Sequence, residues 1–163
     1  ILSLENKIKI LLKIRLHKAS SNPNVGGWDE IVRLKDFDKD LMVDDGFSPI
    51  ETNLKNSRFA IVCYDSTLIL ELFSKNYPFL IFLPEGIGHL KKQAKVDYLT
   101  LIKNDILFTN YLDLKSKVEE INLDASGWWN SYEVQQCRDL WINKYSKLSK
   151  NKVYDLKKLL EYK

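Results

Sequence analysis

The chain has 163 residues, 45% hydrophobic, 12% aromatic and 29% charged, enough for one domain with its own core. Nineteen aromatic residues exclude a disordered chain and two cysteines exclude a disulfide scaffold, while no apolar run reaches the ~18 residues of a membrane span. The net charge is only +3, with Arg at four positions (15, 33, 58 and 138), which argues against a nucleic-acid binder.

In chain order, Ile8 to Leu16 reads as a strand, followed by a loop from His17 to Gly27. Trp28 to Phe37 reads as a short helix and Asp40 to Val43 as a short strand. Ser48-Pro49-Ile50-Glu51 has the form of a helix start, with Ser at the cap, Pro in the first turn and Glu three residues on. Phe59 to Tyr64 is an almost unbroken apolar run, expected as a central strand covered on both faces. A helix is expected from Ser66 to Lys75, then a strand over Phe79 to Phe82.

Leu90, Ala94, Tyr98, Leu101 and Ile102 share one face of a long helix, with His89 a surface or capping residue at its start. Ile106 to Phe108 forms a last strand before a helix from Leu112 to Ile121. Two helices close the chain, one with Val134, Cys137, Trp141, Tyr145 and Leu148 on one face, the other with Val153, Leu156 and Leu160. Alternating strands and helices predict an α/β fold, a parallel sheet of about five strands with helices on both faces. Ligands of such folds sit at the carboxyl ends of the strands, beside the helix N-termini that follow.

Two clusters fall at such positions. Asp65, Ser66 and Thr67 lie where the most apolar run turns into its helix, and Glu71 is one turn on. Free N–H groups and the helix dipole favour an anion there, and the two hydroxyls add donors. Thr67 and Glu71 are ~6 Å apart along the axis, so a phosphate at the helix start leaves Glu71 in reach of sugar hydroxyls. The simpler alternative is an N-cap by Asp65 or Ser66 and a solvated glutamate. Arg15 and His17 point the same way from the end of the first strand, where they would face the same crevice; they too can be read as solvated surface.

The sequence has neither the GxGxxG dinucleotide fingerprint nor the GxxxxGK[ST] phosphate loop. Asp44-Asp45-Gly46 reads as a strand-end turn, and no metal site and no cofactor are assigned. Cys63 is expected to be a buried strand residue and Cys137 to lie on the apolar face of its helix. Trp128-Trp129, with Trp141, predicts an aromatic cluster in the C-terminal helices. The chain begins at Ile1 with nothing like a signal peptide, which together with free cysteines suggests a cytoplasmic protein and a piece of a longer chain.

Ser57 to Thr67, Leu70-Glu71, Tyr77-Pro78 and Phe82 resemble the core of a transferase family from bacterial surface-polysaccharide loci, first described in leptospires. Trp128 to Ser131, Glu133 to Gln135 and Tyr145 are similar to that family's C-terminal signature, and Arg15 to His17 with Trp28-Asp29 match an earlier block. The family resembles GT-B glycosyltransferases and, more distantly, bacterial Kdo and sialic-acid transferases. The resemblance implies a Rossmann-like domain over 1–163, closed by helices in 131–163, that binds a nucleotide-sugar donor such as a CMP-Kdo or CMP-sialic type. Arg15, His17, Ser66 and Thr67 would then hold donor phosphate, with Asp65 alongside, and Glu71 would hold the ribose or base side.

A GT-B enzyme also needs an N-terminal domain for its glycan or lipid-linked acceptor, which this chain has no room for, so the fragment should bind donor without turning over alone. Its place would be the cytoplasm or the inner face of the inner membrane. Departures from the family pattern are Lys18, where related enzymes often have Pro, and Asp65, where the family usually has Asn. The alternative from another class is a receiver-like signalling module with Asp65 as phospho-acceptor and Asp44-Asp45 at a metal, or an interaction domain using the Trp128-Trp129 surface. The acidic pair follows the second expected strand, however, whereas a receiver needs it after the first.

Overall fold

A computed structural model describes residues 12–17, 29–146 and 152–161. It is mixed α/β, with the elements in the order β1 (Lys13–Arg15), α1 (Glu30–Phe37), β2 (Met42–Asp44), α2 (Ile50–Lys55), β3 (Ala60–Val62), α3 (Thr67–Ser74), β4 (Phe79–Phe82), α4 (Lys92–Lys103), β5 (Leu107–Phe108), α5 (Tyr111–Ile121), α6 (Ala125–Trp129), α7 (Tyr132–Tyr145) and α8 (Lys152–Glu161). The expected strand start at Ile8, the glycine loop before Trp28 and Leu148 lie outside the described residues.

The chain divides into two compact units, residues 1–60 with 112–125, and residues 61–111 with 126–163. In the first, β1 and β2 are parallel, with Lys13 opposite Met42, Ile14 opposite Val43 and Arg15 opposite Asp44. Parallel neighbours need a crossover, and α1 lies in the segment that supplies it. In the second unit, the sheet has the order β3-β4-β5, and β4 pairs with β5 in parallel through Ile81–Leu107 and Phe82–Phe108.

The strands therefore form two sheets, of two and three strands, and not the single five-stranded sheet expected from the sequence. Apolar runs mark where strands occur, but partner choice depends on packing between segments distant in sequence. The same limit explains a second correction. The run ending in Tyr64 supplies an edge strand, and β4 is the central one. Phe79, Leu80 and Ile81 on β4 are wholly buried, whereas Ala60 and Ile61 on β3 are only half-buried.

The second unit is organised around aromatic side chains. Phe73 on α3 meets Phe79 edge-on at 4.7 Å and stacks on Trp141 of α7 at 5.5 Å. Trp129 packs against Phe79 at 5.3 Å, and Tyr98 of α4 meets Trp141 at 5.1 Å. Each such pair contributes about 0.5–1.5 kcal/mol beyond the area it buries. The tryptophan cluster expected from the sequence is thus the hub on which α3, β4, α4 and α7 converge, with Trp128 only half-buried at its margin. The α6 turn that carries Trp128 and Trp129 was not expected as a helix; five residues are too few to show a periodicity.

Local details differ at two helix starts. The α2 N-cap is Pro49 with no side-chain cap, because the Ser48 hydroxyl bonds the Asp44 carboxylate instead. The helix carrying Tyr98 begins at Lys92, after a run of turns that includes exposed His89.

Candidate functional site

In the first unit, the register that sets Arg15 opposite Asp44 places both at the carboxyl end of the parallel pair. Arg15 Nη1 donates to Asp44 Oδ1 at 2.9 Å, and Nη2 donates to the carbonyls of Gly46 at 2.9 Å and Ser48 at 2.5 Å. Asp44 Oδ1 also accepts the Gly46 N–H at 2.7 Å, in a turn where Gly46 has φ +83°, a conformation glycine adopts without strain. Its other oxygen accepts from Asn53 Nδ2 at 2.7 Å. Burial raises the Asp44 pKa, but Asn53, the Gly46 N–H and the charges of Arg15 and Lys13 outweigh it and hold the carboxyl at about 2. Arg15 is therefore neutralised by Asp44 and braces the turn 44–48. His17 is exposed just beyond the strand, and Lys18 lies outside the described residues.

In the second unit, β3 ends at Val62 and Cys63, Tyr64 and Asp65 lead to α3. All three are exposed, so Cys63 is not the buried strand residue expected. The strand stops two residues before its apolar run does, which turns Cys63 into a loop residue. Partial desolvation still raises its thiol pKa. Cys137 is buried on α7, as expected, and burial raises its thiol too, against a lowering hydrogen bond with Thr100.

Ser66 is the N-cap of α3 in extended backbone, yet no side chain caps the helix. Its Oγ is shut off from solvent and has no hydrogen-bond partner. Asp65 and Ser66 are the residue types that normally cap, and neither does so. Asp65 Oδ1 accepts instead from the hydroxyl of Tyr98 on α4. Thr67 and Glu71 are both exposed, one turn apart on the outer face of α3, while Ile69, Leu72 and Phe73 are buried. At the other end, Arg138 Nε donates to the Phe73 carbonyl at 2.9 Å, placing a cation where the helix dipole is negative. The C-terminus of α3 thus has a side-chain donor, whereas its N-terminus has no side-chain cap.

Four of the six residues expected at the site thus stand together at the start of α3, and Arg15 and His17 belong to the first unit. None of the six lines the groove of about 350 Å³ between α4 and α7, which is bordered by Asp97, Trp141, Lys144 and Tyr145. Tyr98 is the residue the sequence did not single out: its heptad-like spacing marked it as core, and nothing local signalled that its hydroxyl reaches Asp65.

The Trp128 to Gln135 segment is accounted for by packing. Trp129 Nε1 donates to Asn76 Oδ1 at 2.9 Å, and Gln135 Nε2 bridges that same oxygen at 3.2 Å and the Trp129 carbonyl at 2.8 Å.

Among the described residues no group of His, Cys, Asp and Glu is placed to hold a metal, and no helix is long and apolar enough to cross a membrane. The family model described as LIC12162 family transferase matches residues 1–160. No curated protein and no solved structure matches the chain.

Proposed function

The chain belongs to the LIC12162 family of transferases, and from that premise we propose that it is the donor-binding domain of a GT-B-type glycosyltransferase of cell-surface polysaccharide or lipopolysaccharide synthesis. The observation that carries this reading is the open N-terminus of α3, where Ser66 Oγ is buried without a partner. An unsatisfied buried hydroxyl costs about 1–3 kcal/mol. A phosphate oxygen at the helix mouth, met by a change of the Ser66 rotamer, would offset that cost.

In this reading the donor is a nucleotide sugar, such as a CMP-Kdo or CMP-sialic type. The α3 N–H groups with Ser66 and Thr67 receive its phosphate, and exposed Glu71 receives hydroxyls of the ribose or base side. Arg15 and His17, which lie in the first unit, are read as phosphate-binding on the family resemblance alone. The helix dipole and these donors would offset charge on the departing nucleotide without a metal or other cofactor. The glycan or lipid-linked acceptor is assigned to another domain, with the protein working at the inner face of the inner membrane. The receiver alternative gains no support, since Asp44 is engaged by Arg15, Asn53 and Gly46 and Asp65 by Tyr98.

The test is a titration with CMP, UDP, GDP and ADP, followed through amide and indole NMR shifts. Saturable binding of one nucleotide, abolished in S66A/T67A, is expected. Equal affinity in wild type and S66A/T67A would sink the assignment.

A further inference from the structure

We propose that Tyr98 is a positioning residue that keeps the α3 N-terminus open to an anionic ligand by holding the Asp65 carboxylate on its hydroxyl. This rests on the reading of the α3 start as an anion site, and it adds a reason why that site is vacant of its own side chains.

A helix N-terminus is normally closed by the nearest carboxylate or hydroxyl in its own chain, because free N–H groups compete for any acceptor within reach. Here the adjoining residues are Asp65 and Ser66, and α3 still has no side-chain cap. Asp65 is one residue before the N-cap, so its carboxylate is both the nearest intramolecular rival of a bound anion and a like charge beside it. Its Oδ1 is instead engaged by Tyr98.

The phenol is well placed to hold it. Tyr98 is 8% exposed, and its ring meets Trp141 edge-on at 5.1 Å, which stacks on Phe73 of α3 at 5.5 Å. The hydroxyl position relative to α3 is therefore set by packed aromatic rings on α4, α7 and α3 itself. Burial, then the bond to Asp65, raises the Tyr98 pKa well above the ordinary tyrosine value, so the phenol remains a donor across the physiological range. Tyr98→Phe deletes that single O–H and leaves the ring packing intact.

The experiment measures the affinity of the full chain for inorganic pyrophosphate by calorimetry, in wild type and four variants, with thermal melts to verify folding. Y98F is expected to bind pyrophosphate about threefold to tenfold more weakly, the order expected for one like charge released a few ångströms away. Y98F/D65N is expected to recover wild-type affinity, a rescue that a purely structural role for Tyr98 would not give. D65E, whose longer side chain can reach past the phenol to the helix, is expected to bind more weakly with Tyr98 intact, and covers the case in which Y98F fails to fold. S66A/T67A separates the two levels.

Loss in S66A/T67A with full affinity in Y98F and D65E would overturn the role of Tyr98 and leave the anion site standing. Weak binding by Y98F that D65N does not restore would likewise overturn it, reducing Tyr98 to a brace. No binding of pyrophosphate by wild type, or binding unaffected by S66A/T67A, would overturn the anion site and the role of Tyr98 together.

Discussion

Trp129 and Asn76 are joined by an indole N–H to amide oxygen bond of 2.9 Å across 53 residues of sequence. Asn76 follows α3 with φ +49°, a left-handed conformation that asparagine tolerates better than most residues, and its side chain thereby faces a tryptophan that is 1% exposed. The bond ties the end of the proposed donor-site helix to the Trp-Trp segment, so α3 is held at the end away from its open mouth.

Substitutions at Asn76 should rank by acceptor and backbone. Asn76→Asp keeps an oxygen for the indole and is expected to stay close to wild type in urea unfolding. Asn76→Gly suits the backbone but orphans the indole N–H, costing about 1–3 kcal/mol. Asn76→Ala adds left-handed strain of about 1 kcal/mol and should be the least stable. Equal midpoints for all three would show that the bond contributes nothing.

The two buried tryptophans should respond differently to the same change. Trp129 has a partner for its Nε1, whereas the Nε1 of Trp141 has none. Trp→Phe removes similar ring volume at each, but at Trp129 it also breaks a bond, while at Trp141 it removes an unsatisfied donor. Trp129→Phe is therefore expected to cost about 1–2 kcal/mol more than Trp141→Phe, measured by denaturant unfolding with unchanged slope.

Asp44 predicts an acid limb in the stability of the first unit. Its carboxyl is lowered from 3.8 to about 2 by the fold, so the folded state favours the ionised form. The stabilisation is complete above the unfolded value and disappears as pH falls from about 4 through about 2. It amounts to on the order of 2 kcal/mol. In Asp44→Asn the pH 7 stability should fall by a similar amount, and the difference from wild type should close below pH 2. A constant gap between the two across pH 2–7 would refute the assignment.

The cysteines should separate cleanly in labelling. Cys63 is exposed and Cys137 is 3% exposed, so a maleimide should modify one thiol in the native chain and the second only in denaturant. The raised Cys63 pKa makes the first reaction slower at pH 7 than that of a free thiol and faster as pH rises. A label at Cys63, three residues from Ser66, is expected to weaken nucleotide binding. Native modification of Cys137 first would contradict the packing of α7.

The amino-acid sequence by itself determined most of the elements, α6 excepted, and the aromatic core. Runs such as Phe79 to Phe82 and the helical spacing of Val134, Cys137 and Trp141 are local properties, and burial of apolar faces follows directly from them. It also determined that Ser66 and Thr67 begin a helix at a strand's carboxyl end, because the change of period from strand to helix occurs there. The family signature was legible in the same way, as residues in order.

Only the tertiary structure decided which strands pair, that β4 and not β3 is central, and where polar side chains direct their bonds. Arg15 and Asp44 meet across 29 residues, and Tyr98 and Asp65 across 33. Their types suggested a cation for phosphate and a core aromatic. A polar group's role depends on the partner that desolvation forces on it, and that partner is chosen by packing between segments the local pattern does not relate. Thus the position of the α3 start was readable from sequence, while the bond that Asp65 accepts from a tyrosine hydroxyl one helix away was not.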